Sequence, residues 1–139
     1  MILTIFEKIL LGHLVGDYLL QTEKIALLKT KKGLNGNLWC ILHCLIYTAS
    51  ICLFTQTINP ILITLIFISH YPIDRWSLAD KWLMVIRGRR MLVSYYKFKK
   101  GEIHSEFGLI YSCIVYTVVD NTVHLLLMIS IFSWVIILK

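Results

Sequence analysis

Three of the four aspartates in this 139-residue sequence have a histidine four positions away. The pairs read His13-Leu-Val-Gly-Asp17, His70-Tyr-Pro-Ile-Asp74 and Asp120-Asn-Thr-Val-His124. A spacing of four puts both side chains on one helix face, one turn apart. Random placement gives three such pairs on the order of once in a thousand, so the pattern asks for a chemical reason. Imidazole nitrogens and carboxylate oxygens together suit Zn, Mn or Fe, and the imidazoles disfavour Mg and Ca. With His43 added, the candidate metal ligands are His13, Asp17, His43, His70, Asp74, Asp120 and His124. Seven groups exceed one tetrahedral shell; they suffice for a two-metal centre bridged by an aspartate, or for one metal whose imidazoles are oriented by outer carboxylates. Asp17, Asp74 and Asp120 double as candidate catalytic residues, an unligated one serving as general base. Two other readings use the same residues: a His/Asp proton or ion relay, and purely structural interhelical hydrogen bonds. Cys40 and Cys44 flank His43 and are able to ligate zinc, but cysteines in apolar runs are usually packed free thiols, which is also the expectation for Cys52 and Cys113. His104 has no partner at this spacing and reads as a surface residue.

The elements that must position these groups are apolar. The composition is 58% hydrophobic and 16% charged, too few polar side chains to cover a water-facing surface. The expected fold is therefore all-α: a single polytopic membrane domain, residues 1–139, built as a four-helix transmembrane bundle. Its spans are expected at about 1–21, 38–55, 60–78 and 107–138, with 55–59 as a tight hairpin and the last run as one long helix. Glu7, Lys8 and Asp17 interrupt the first apolar run, so a removable signal peptide is not expected. Counted from the basic end of each span, Asp17 and Asp74 lie roughly 8 Å deep and His13 and His70 roughly 14 Å, so the groups can meet in one layer. The surrounding faces are polar in the same register: His13, Asp17 and Gln21 with Glu7 nearby, then His70, Asp74 and Ser77, then Cys113, Thr117, Asp120, Asn121 and His124. This polarity stops partway across, which describes a blind pocket rather than a pore.

Basic residues orient the bundle. The loop after the first span carries Lys24, Lys29, Lys31 and Lys32, and the loop after the third carries Lys81, Arg87, Arg89, Arg90, Lys97, Lys99 and Lys100. The hairpin carries none, so both long loops are expected in the cytoplasm and the chain in the inner (plasma) membrane. The net charge of +6 then belongs to a membrane surface, and no nucleic-acid partner is expected. Segment 81–100 interleaves its basic residues with Trp82, Leu83, Val85, Ile86, Leu92, Tyr95, Tyr96 and Phe98. It reads as an amphipathic helix in the headgroup layer, before the last span, with anionic lipid headgroups as partners. Four helices bury little area alone, so a homo-oligomer or a protein partner is also open. Charged groups in hydrocarbon need compensation, and the spans offer no lysine or arginine beyond Lys8 in the first and Arg75 at a boundary, so a divalent metal is the expected cofactor.

The run Gly12-His13-Leu-Val-Gly-Asp17-Tyr-Leu-Leu-Gln21-Thr22, then Leu42-His43, His70-Tyr-Pro-Ile-Asp74 and Asp120 to His124, resembles the bacterial and phage membrane proteins of domain of unknown function family 3307. The likeness covers nearly the whole chain, and its first motif is the most specific. More distantly, the His and Asp pattern is similar to that of membrane-bound metal-dependent hydrolases. The resemblance implies a shared polar membrane site at the seven residues named above, and no established reaction. Two functions are therefore carried forward. One is a metal-dependent hydrolase of a lipid or lipid-linked phosphoester entering from the cytoplasmic leaflet, with Arg75 or Lys81 near the phosphate. The alternative is a non-enzymatic membrane subunit or effector, whose cluster is structural or senses metal or protons through a partner.

Overall fold

The computed structural model describes residues 2–87, 99–101 and 106–137, and every regular element among them is helical. Six α-helices are described: α1 (Ile5–Leu14), α2 (Glu23–Leu28), α3 (Leu34–Thr55), α4 (Pro60–Arg75), α5 (Leu78–Arg87) and α6 (Glu106–Ile137). A π-helical turn, Val15–Leu19, continues directly from α1. The all-α expectation stands.

Local chemistry sets the boundaries. Thr4 caps α1 reciprocally with Glu7: Thr4 N donates to Glu7 Oε2 at 2.6 Å, and Glu7 N donates to Thr4 Oγ1 at 3.3 Å. Glu7 is thereby used as an exposed cap and does not join the polar stripe the sequence suggested beside Asp17. The loop expected between residues 23 and 37 contains α2, started by Thr22, whose hydroxyl accepts from Ile25 N at 3.3 Å. Gln56 ends α3 in the left-handed conformation, and Asn59 with Pro60 restarts the chain as α4. The third run stops at Arg75, short of residue 78, with Ser77 at φ 47°. The last run stays a single helix through Asp120 and Asn121, where Asn121 Nδ2 donates back to Thr117 O at 2.7 Å.

Residues 1–76 and 124–139 make one compact unit, and residues 77–123 make another. In the first, Ile9, Tyr47, Ile51, Leu62, Ile66, Met128, Phe132 and Val135 form a core drawn from α1, α3, α4 and the last third of α6. Helix α1 and the π turn lie directly on α3. A Cβ at Gly12 would come within 3.0 Å of Ile51 Cα, one at Gly16 within 3.1 Å of Tyr47 Cα, and Ser50 Oγ donates to Gly12 O at 2.8 Å. Small residues one turn apart let the two backbones touch. Helices α3 and α4 are the expected antiparallel neighbours. Arg75 Nε donates to Asn37 Oδ1 at 2.6 Å, and Cys40 Sγ faces Tyr71 O at 3.9 Å.

In the second unit, α5 buries Ala79 and Leu83 and exposes Trp82, Met84, Val85 and Ile86. Leu78, Lys81, Trp82, Val85 and Val123 line an apolar cavity of about 360 Å³. Residues 88–98 of the expected interfacial segment, and His104, lie outside the described residues. By length and apolar character, α3 and residues Ile110–Val135 of α6 are able to cross a membrane.

Candidate metal centre

Each half of the centre arises from a local irregularity. Asp17 sits inside the π turn, where Leu20 N donates five residues back to Val15 O at 2.9 Å. Such one-turn widenings redirect a side chain without ending the helix. His70 and Asp74 flank Pro72, which cannot donate to the carbonyl one turn earlier and so loosens α4 at this level. His43 comes from the middle of the regular helix α3, between buried Cys40 and Tyr47.

These four side chains converge. His43 Nε2 lies 3.1 Å from His70 Nε2, 3.1 Å from Asp17 Oδ1 and 2.7 Å from Asp74 Oδ2. His70 Nε2 lies 3.6 Å from Asp17 Oδ1 and 3.0 Å from Asp74 Oδ2. All four donor atoms fall within 4.8 Å of one another. The edge of a tetrahedron with metal–ligand bonds of 2.0–2.1 Å is about 3.3 Å, and the five separations just given lie on either side of that value. Asp17 Oδ1 and Asp74 Oδ2 are buried and face the imidazole nitrogens of the centre. Two buried carboxylates turned toward neutral imidazoles are costly, and a cation shared between both lowers that cost. The ring Nδ1 atoms of His43 and His70 have no hydrogen-bond partner among the described residues.

A second ring of groups surrounds the four. His13 Nδ1 stands 3.2 Å from Asp17 Oδ2 and 3.2 Å from Tyr47 OH, so it orients the carboxylate through the oxygen that does not face the centre. The Tyr47 ring stacks on His70 with centroids 3.6 Å apart and planes 13° from parallel. The ring of His124, fully buried, is 4.5 Å from His70 and 5.5 Å from His13. Asp120 belongs to the other compact unit, one turn before His124 on α6. Of the seven candidates, Asp17, His43, His70 and Asp74 bring together donor atoms that could hold a metal ion, while His13 and His124 pack beside them. Cys40 and Cys44 are buried free thiols outside the donor set.

Two participants are not singled out by the sequence. Tyr47 looks like one more aromatic in an apolar span. Lys29 looks like one of four loop lysines, yet its Nζ reaches Asp74 Oδ2 at 3.0 Å and donates to Gln21 Oε1 at 2.6 Å. Gln21 is held in turn by donating from Nε2 to Asp17 O at 3.1 Å. Positive charge at the cluster thus comes from a lysine outside the expected spans, which reaches in from the end of α2. Arg75 instead ties α4 to Asn37.

Among the described residues every regular element is helical, and with a buried two-histidine, two-aspartate group they define an all-α protein with a candidate metal centre and two helices long and apolar enough to cross a membrane. The chain belongs to the family described as Protein of unknown function (DUF3307), whose model matches residues 5–139. No curated protein and no solved structure matches it.

Proposed function

We propose that this is a polytopic inner-membrane protein that holds one divalent metal ion, Zn, Mn or Fe, between Asp17, His43, His70 and Asp74. The observation that carries the reading is the convergence of four donor atoms, two imidazole nitrogens and two buried carboxylate oxygens, within 4.8 Å of one another. The membrane part is supported by an inverted distribution of polarity. His13, His43, His70, His124, Thr48, Ser50 and Asp74 are buried, while Leu38, Leu45 and Leu53 on α3 and Ile61 and Ile68 on α4 are exposed. Such a surface suits lipid, and α1, α3, α4 and α6 supply the four-helix transmembrane bundle. Lys29 reaches the centre from a loop whose lysines belong in the cytoplasm, so the pocket opens to that side. On α5, Lys81 beside exposed Trp82, Val85 and Ile86 supports an interfacial helix on anionic headgroups.

Four protein donors fill a tetrahedral shell, as in sites that hold a metal for structure or sensing, and this favours the non-enzymatic membrane subunit as the function. A second reading, metal-dependent hydrolysis of a lipid or lipid-linked phosphoester, draws on one observation. Two carboxylate donors suit Mn or Fe, which take more than four ligands and leave room for substrate. Purified protein loaded separately with Zn²⁺ and Mn²⁺ and incubated with phosphatidic acid and an isoprenyl phosphate decides between them. The leading reading expects no phosphate release above that of Asp74→Asn, and metal-dependent release absent from Asp74→Asn would replace it with the hydrolase.

A further inference from the structure

Of the four lysines in the loop between α1 and α3, three are exposed, and Lys24 lies over the Trp39 ring at 4.9 Å. Lys29 alone turns inward, its side chain 13% exposed. Its target is not a spare oxygen. Asp74 Oδ2, 3.0 Å from the ammonium, is the same atom that faces His43 and His70 as a donor of the centre.

Charge then decides what coexists. With neutral imidazoles, Asp17, Asp74 and Lys29 sum to −1. A divalent cation bound by both carboxylates makes the group neutral only if the ammonium leaves, and a retained ammonium leaves a net positive charge in a buried site. We propose that Lys29 is a built-in counter-ion that holds Asp74 in the metal-free protein and is displaced into solvent when the metal enters. This rests on the metal reading above and adds its regulation: metal affinity is set partly by how firmly Lys29 is held, and occupancy is reported on the cytoplasmic face by release of a lysine. Gln21 is the latch, because it fixes Lys29 through Oε1 while anchored to the Asp17 carbonyl. A signal of metal status thus passes from the donor set to the end of α2 without movement of α3 or α4.

The competition has a readable size. If the metal-competent arrangement is populated about one-tenth of the time in the free protein, removing the competitor tightens apparent binding about tenfold. Metal-free protein in detergent is titrated with Zn²⁺ against a chelator, as wild type, Lys29→Met and Gln21→Leu. Lys29→Met is expected to bind about tenfold tighter and Gln21→Leu to shift in the same direction by less. In wild type, acylation of the Lys29 amine, read by mass spectrometry, is expected to rise when Zn²⁺ is added. Equal or weaker binding by Lys29→Met, or unchanged labelling of Lys29, overturns the proposal while the metal centre stands. Absence of Zn²⁺ binding in wild type and both variants overturns the metal reading, and this inference with it. Should Lys29→Met not fold, the Gln21→Leu affinity and the wild-type labelling decide alone.

Discussion

Asp74 Oδ2 gathers more charge than any other described atom of the site, with two imidazole nitrogens and an ammonium within 3.0 Å. Replacing Asp74 by Asn removes a charge and a ligand while keeping the shape, and metal affinity is expected to fall on the order of 100-fold or more, measured by chelator competition. His13→Ala leaves all four donors but frees the outer oxygen of Asp17, and a loss of about 10–100-fold is expected from such an outer partner. Neutral imidazoles are the binding form, so protons compete with the metal. Occupancy is expected to fall as the pH is lowered, read by metal retention after dialysis. At this scale the sequence was informative wherever two partners share a helix. His13 with Asp17 and His70 with Asp74 announce themselves by spacing, because one helical turn makes their proximity a local fact. Nothing local marks Tyr47 or Lys29, whose contacts span 34 and 45 residues of chain. Lys29 reads as loop charge until α2 is known to end beside the cluster.

Helix α1 reaches the centre only because it touches α3. At Gly16 a Cβ would meet Tyr47 Cα at 3.1 Å, so Gly16→Val must push the π turn off α3. The expected cost is about 1–3 kcal/mol, seen as a lower thermal midpoint, together with weaker metal binding because Asp17 moves with the turn. The helices were legible as apolar runs, and the antiparallel α3 and α4 followed from a hairpin too short for anything else. Their ends were less legible, since capping chemistry set them: Thr4 with Glu7 starts α1 at residue 5, and Ser77 in the left-handed region stops α4 before residue 78. The π turn had no signature, because it is the last turn of its helix and no later turn records the shift in phase. Of segment 81–100, residues 81–87 belong to the helix α5, and residues 88–98 lie outside the described residues.

For the molecule as a whole, composition alone pointed to lipid, and the buried polar groups with exposed leucines and isoleucines follow from the same excess of apolar residues. The orientation is testable directly. With Cys52 and Cys113 replaced by Ser, a cysteine at Gln56 is expected to react with an impermeant reagent from outside the cell, and one at Lys32 only after permeabilisation; the opposite pattern inverts the topology. The metal is the claim on which the site, the depth of its aspartates and the role of Lys29 all depend, and the metal content of protein purified in detergent at neutral pH tests it most directly. About one Zn, Mn or Fe per chain is expected in wild type and little in Asp17→Asn or Asp74→Asn. Wild-type protein without metal after growth and refolding-free purification in metal-replete medium, or metal content unchanged in both variants, would contradict the account.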